Sequence, residues 1–99
     1  MSAADLQAHA AGIDYSRLPE HMQAGARLWI EQGIYPGGFM LAVMENDLVE
    51  AVGRADETNR ERLPDFVSFF YNEAPRACWR TRENIEAWAE RGGLLGGQQ

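Results

Sequence analysis

Few side chains in this sequence have chemistry to offer. One cysteine, Cys78, and two histidines, His9 and His21, are all that a thiol–imidazole pair could draw on. A nucleophilic cysteine needs a base within hydrogen-bond reach and a third group to orient that base. No orienting residue stands out, and a lone cysteine beside Trp79 reads as a small buried hydrophobe. One thiol and two histidines twelve residues apart also fall short of a metal-ligand set, so neither metal nor other cofactor is expected. Gly37-Gly38 and Gly92-Gly93 lack the spacing of a phosphate-binding loop and read as turn and cap residues. The expectation is a protein that is not an enzyme.

Carboxylates are the more suggestive group. Asp47, Glu50, Glu57, Glu61 and Asp65 crowd the middle of the chain. Glu57, Glu61 and Asp65 are four apart and would stack on one helical face, where like charges are mildly destabilising. Neighbouring arginines could make this an ordinary solvated face. Alternatively it is an anionic patch that docks on a Lys/Arg-lined surface. Trp79, in a loop with Arg76, Arg80 and Arg82 nearby, is the tryptophan expected to be left exposed, since Trp and Arg are enriched in binding hot spots. The expected partner-binding set is therefore Asp47, Glu50, Glu57, Glu61, Asp65 and Trp79.

The elements that position these residues read as helices. Leu63, Phe66, Val67 and Phe70 recur at i, i+3, i+4 and i+7, a helical face. Pro19 suits a first turn, Met22, Ala26, Trp29 and Ile30 line one side, and Gly33 is placed for a left-handed cap with Ile34 packing back. Phe39–Met44 is a continuous apolar run, strand or helix by pattern alone. Its Met, Leu and Ala content, and the lack of a second strand, favour helix. Asn46 is an N-cap or a break before a short helix with Leu48, Ala51 and Val52 inward. Asp56 and Thr81 suit the next two N-caps, and Pro64 should kink or restart the helix between them. Ile85, Trp88 and Ala89 face inward before Gly92-Gly93.

The expected architecture is a compact all-α domain, with helices near 19–32, 38–45, 47–53, 57–72 and 82–91. Residues 1–17 would be an N-terminal arm or short helix, 18–93 the helical domain and 94–99 a flexible tail.

Composition narrows the partner. Ninety-nine residues suffice for one core, and 45% hydrophobic content with ten aromatic residues can fill it. The net charge is −6, and every basic residue is an arginine. Direct binding to a phosphate backbone would need the opposite sign, so a basic protein surface is the better match. The N-terminus carries Asp5 and no long apolar run, so no signal peptide is expected, and no stretch has the length of a membrane span. With a single cysteine, a reducing cytoplasmic setting is expected.

Several runs look familiar together: LPEHM at Leu18–Met22, GIYPGGF at Gly33–Phe39, NDL at Asn46–Leu48, GRAD at Gly53–Asp56, YNEAP followed by CW at Tyr71–Trp79, and WAERGG at Trp88–Gly93. In this order the chain is similar to a family of small proteins encoded by phages and prophages of proteobacteria. Small acidic phage proteins of this size in turn resemble the anti-CRISPR inhibitors of type I systems. That resemblance implies binding to the RNA-guided surveillance complex, Cascade, at positively charged surfaces meant for DNA, with target binding blocked. Arg80-Thr81 departs from the Gly-Ser that the resemblance leads one to expect after Cys-Trp. Two other classes remain open: an assembly protein self-associating through Phe69, Tyr71 and Trp79, and an enzyme using Cys78 and His21.

Overall fold

A computed structural model describes residues 2–96, and among these every regular element is helical. The order is α1 (Ala3–Ala11), α2 (Glu20–Gln32), α3 (Gly38–Met44), α4 (Leu48–Arg54), α5 (Glu57–Glu61), α6 (Leu63–Asn72), a 3₁₀ turn (Arg76–Cys78), α7 (Arg82–Arg91) and α8 (Gly93–Gly96). The all-α expectation holds. No helix among the described residues is long and apolar enough to cross a membrane.

Capping fixes most of the boundaries. Ser2 begins α1 through a capping box: the Asp5 N–H donates to Ser2 Oγ and the Ser2 N–H donates to the Asp5 carboxylate. The Asp56 and Thr81 side chains accept from the N–H groups of Asn59 and Asn84 and so start α5 and α7, as their sequence positions suggest. Gly33 and Gly92 close α2 and α7 in the left-handed region, at φ 69° and 83°. Phe39–Met44 is helix, and all of its residues but Leu41 are buried.

Of the two alternatives for residues 1–17 the structure has the short helix, α1, and Leu6, Ala10, Ile13 and Tyr15 all enter the core. Two expectations change. The helix expected over 57–72 is two, because Pro64 in the first turn of α6 has no N–H to continue the ladder. Towards the C-terminal end Leu94 is buried in α8, which packs on α2, so the expected tail does not begin at residue 94. Residues 97–99 of that expected tail lie outside the described residues.

The core centres on α6 and α2. Phe66, Phe69 and Phe70 are fully buried; Phe66 meets Phe39 edge-on at 4.9 Å, Phe69 tilts against Tyr15 at 5.4 Å, and Phe70 against Trp79 at 5.7 Å. Rings at these separations add to the burial of their own area. Val67, expected inward, is half exposed, because burying Phe69 rotates the buried face away from it. Ile34 is also half exposed; its N–H donates to the Leu28 carbonyl, but its side chain does not return to the core.

Two indoles lock the far side. Trp29 Nε1 donates to the Cys78 carbonyl at 3.0 Å, and Trp88 Nε1 donates to the Trp29 carbonyl at 3.0 Å. One chain of buried hydrogen bonds thus joins α7, α2 and the segment after α6.

Candidate docking surface

The short helix α4 is turned with its apolar side chains outward. Of its hydrophobic residues only Ala51 is buried, whereas Leu48 is 66% and Val49 81% exposed and Val52 is also exposed. Asp47 caps the helix by accepting from the Glu50 N–H, and Glu50 pairs with Arg54 at 2.9 Å. The expectation that Leu48 and Val52 point inward is therefore corrected.

Beside α4 runs a groove of about 110 Å³ lined by Ala42 and Val43 of α3, Asn46 and Asp47 of the connecting turn, Leu48 and Ala51 of α4, and Leu63 and Val67 of α6. Its walls are mostly apolar. A second depression, of about 230 Å³, lies on the α3–α4 side and gathers Glu45, Asp47 and Glu50 around Arg54. Apolar surface and negative charge thus share one helix. Comparison with family models, curated proteins and solved structures gives no match.

The expected site residues separate into groups. Asp47 and Glu50 are at the groove. Asp65 lies between Leu63 and Val67 in sequence, so it points to the other side of α6, where it pairs with Arg62 at 3.0 Å. Glu57 and Glu61 are exposed on α5 with no ion pair among the described residues. Because α5 ends before α6 begins, Glu57, Glu61 and Asp65 do not form one continuous helical stripe. Glu45 joins the acidic group instead, and its sequence position beside the turn was the available signal.

The expectation that Trp79 is left exposed is corrected. The residue is only 7% exposed, packed on Phe70, with the Arg80 guanidinium over its ring at 4.9 Å. Phe69 is buried too, so of the aromatic residues considered for self-association only Tyr71 faces solvent.

Cys78 and His21 are not brought together. Cys78 is fully buried, and burial pushes its thiol up to about 12, the reverse of what a nucleophile needs. His21 Nε2 lies 3.2 Å from Asp56 Oδ2 at the surface. The Asn59 N–H chiefly, helped by His21, holds Asp56 below the usual carboxylate range. No group of three metal-ligating side chains occurs among the described residues.

Proposed function

We propose that this chain is a stoichiometric binding domain that occupies a basic surface of a partner protein, using the groove between α3, α4 and α6. The carrying observation is α4 itself, which holds Leu48, Val49 and Val52 to solvent beside Asp47 and Glu50. Burying the exposed remainder of such side chains contributes about 1–2 kcal/mol each, less the cost of association. The flanking carboxylates set the sign of the partner and speed encounter with it. A second copy of this chain would bring like charges together across the same face, which disfavours self-association.

The resemblance of the LPEHM, GIYPGGF, NDL and CW runs to small phage proteins makes a type I CRISPR surveillance complex the first partner to test. Its DNA channel is basic, and a protein of net charge −6 seated there competes with target DNA. The reading is an anti-CRISPR inhibitor acting by protein–protein contact.

The test titrates the protein into purified type I effector complexes while target-DNA binding is followed by gel shift. DNA binding should fall stoichiometrically. Leu48→Arg, at an exposed position that lines the groove, should weaken inhibition about tenfold or more, the loss of ~1.4 kcal/mol. Undisturbed DNA binding would remove the effector as partner, and full inhibition by Leu48→Arg would remove the groove. Sedimentation at rising concentration reads the alternative, an assembly protein, directly as growth in mass.

A further inference from the structure

A third concavity, of about 270 Å³, shares no lining residue with the groove or with the acidic depression and has the opposite charge. Tyr71, Ala74, Arg76, Trp79 and Arg80 form its wall, with no carboxylate among them. None of the fifteen acidic residues of the chain lines it. Arg27, Arg54, Arg62 and Arg82 each have a carboxylate partner, whereas Arg76 and Arg80 have none among the described residues.

Arg80 is held in an unusual way. Its φ is 87°, a conformation that side chains with a Cβ rarely adopt. Two hydrogen bonds keep it there: the Arg80 N–H donates to the Met44 carbonyl at 2.8 Å, and Asn46 Nδ2 donates to the Arg80 carbonyl at 3.0 Å. The Arg80 guanidinium carbon lies 4.9 Å from the centroid of the Trp79 ring, and its Nε is buried and bonded to nothing in the protein. A buried charged donor without an acceptor is expensive and calls for one. Contact with the indole also restrains the guanidinium, a group whose forked N–H donors can serve two oxygens at once.

We infer that this pocket binds an oxyanion, a carboxylate or phosphate group, received by Arg80 from the Trp79 side and by Arg76 from the solvent side. Tyr71, exposed at the rim, supplies a hydroxyl donor. The site stands independently of the docking groove.

The experiment follows the Arg80 Nε–H and the three indole N–H signals by ¹H–¹⁵N NMR. Sodium phosphate, and separately sodium acetate, replaces sodium chloride at constant ionic strength. Arg80 Nε–H and the Trp79 indole should shift saturably with at least one anion, while the buried Trp29 and Trp88 indoles stay still. Saturation by phosphate alone assigns a phosphoryl ligand; saturation by acetate assigns a carboxylate. Arg76→Ala, at an exposed position, should weaken the fitted affinity about tenfold, the loss of one charge-assisted hydrogen bond. Arg17→Ala, another exposed arginine, should leave it unchanged. Linear, non-saturating shifts with both anions, or equal affinity in Arg76→Ala, would overturn the site.

Discussion

Replacing Gly93 by alanine probes a close approach between the backbones of α8 and α2. Gly93 has φ 76°, and a Cβ added there would lie 2.5 Å from the Gly33 nitrogen and 2.6 Å from both the Gln32 nitrogen and the Glu31 carbonyl carbon. All three are backbone atoms at the end of α2, so no side chain can swing aside. The left-handed conformation costs a Cβ-bearing residue about 1–2 kcal/mol. Forcing the methyl against backbone adds about 1–3 kcal/mol of overpacking. The sum, roughly 2–5 kcal/mol, is a large part of the ~5–15 kcal/mol that stabilises a small domain. Urea unfolding followed by tryptophan fluorescence reads it: with a slope of about 1–3 kcal/mol per molar urea, the midpoint should fall by about 1 M or more. Gly25, inside α2 with nothing within 4 Å of its added Cβ, is the internal control. Gly25→Ala should raise the midpoint, by about 0.5–1 kcal/mol of helix propensity. A Gly93→Ala midpoint equal to wild type would refute the close packing of α8 on α2.

Two further outcomes follow from single residues. Arg80→Gly should be more stable than Arg80→Ala by about 1 kcal/mol in thermal melts, because both lose the Trp79 stack but only glycine is at ease at φ 87°; an alanine variant at least as stable would deny the left-handed backbone. Stability should also fall as pH rises from 9 towards 12, because Cys78, raised from 9.0 to about 12, then ionises only in the unfolded chain. Tyr15, raised from 10.0 to about 12, acts in the same direction, so Cys78→Ala should flatten the alkaline slope only in part.

Local chemistry was legible in the sequence, and tertiary choice was not. Gly33, Gly92, Asp56 and Thr81 announce helix ends because capping involves residues three or four apart, and each lies where its type suggests. The buried faces of α2 and α7 were readable for the same reason. Apolar periodicity also finds the stripe on α4, but it carries no statement of what will cover the stripe. Only Ala51 is covered, so Leu48 and Val52 were assigned to the wrong side. The acidic row was misread because a single proline, Pro64, separates α5 from α6 and changes the phase between Glu61 and Asp65. Trp79 looked exposed because it is in a loop, and its burial depends on Phe70 and Arg80, contacts that spacing does not encode. Position 80, where the resemblance leads one to expect glycine, has a glycine's backbone conformation and an arginine's side chain.

Asn46 and Arg80 are the two non-glycine residues with positive φ among those described, and one hydrogen bond joins them. Asn46 lines the apolar groove and Arg80 lines the cationic pocket. The Arg80 N–H also donates to the Met44 carbonyl, so the turn after α3 and the residue that precedes the cap of α7 are tied twice. Removing the Asn46 amide therefore loosens a junction 34 residues further along the chain, and its cost falls on the start of α7 as well as on the start of α4.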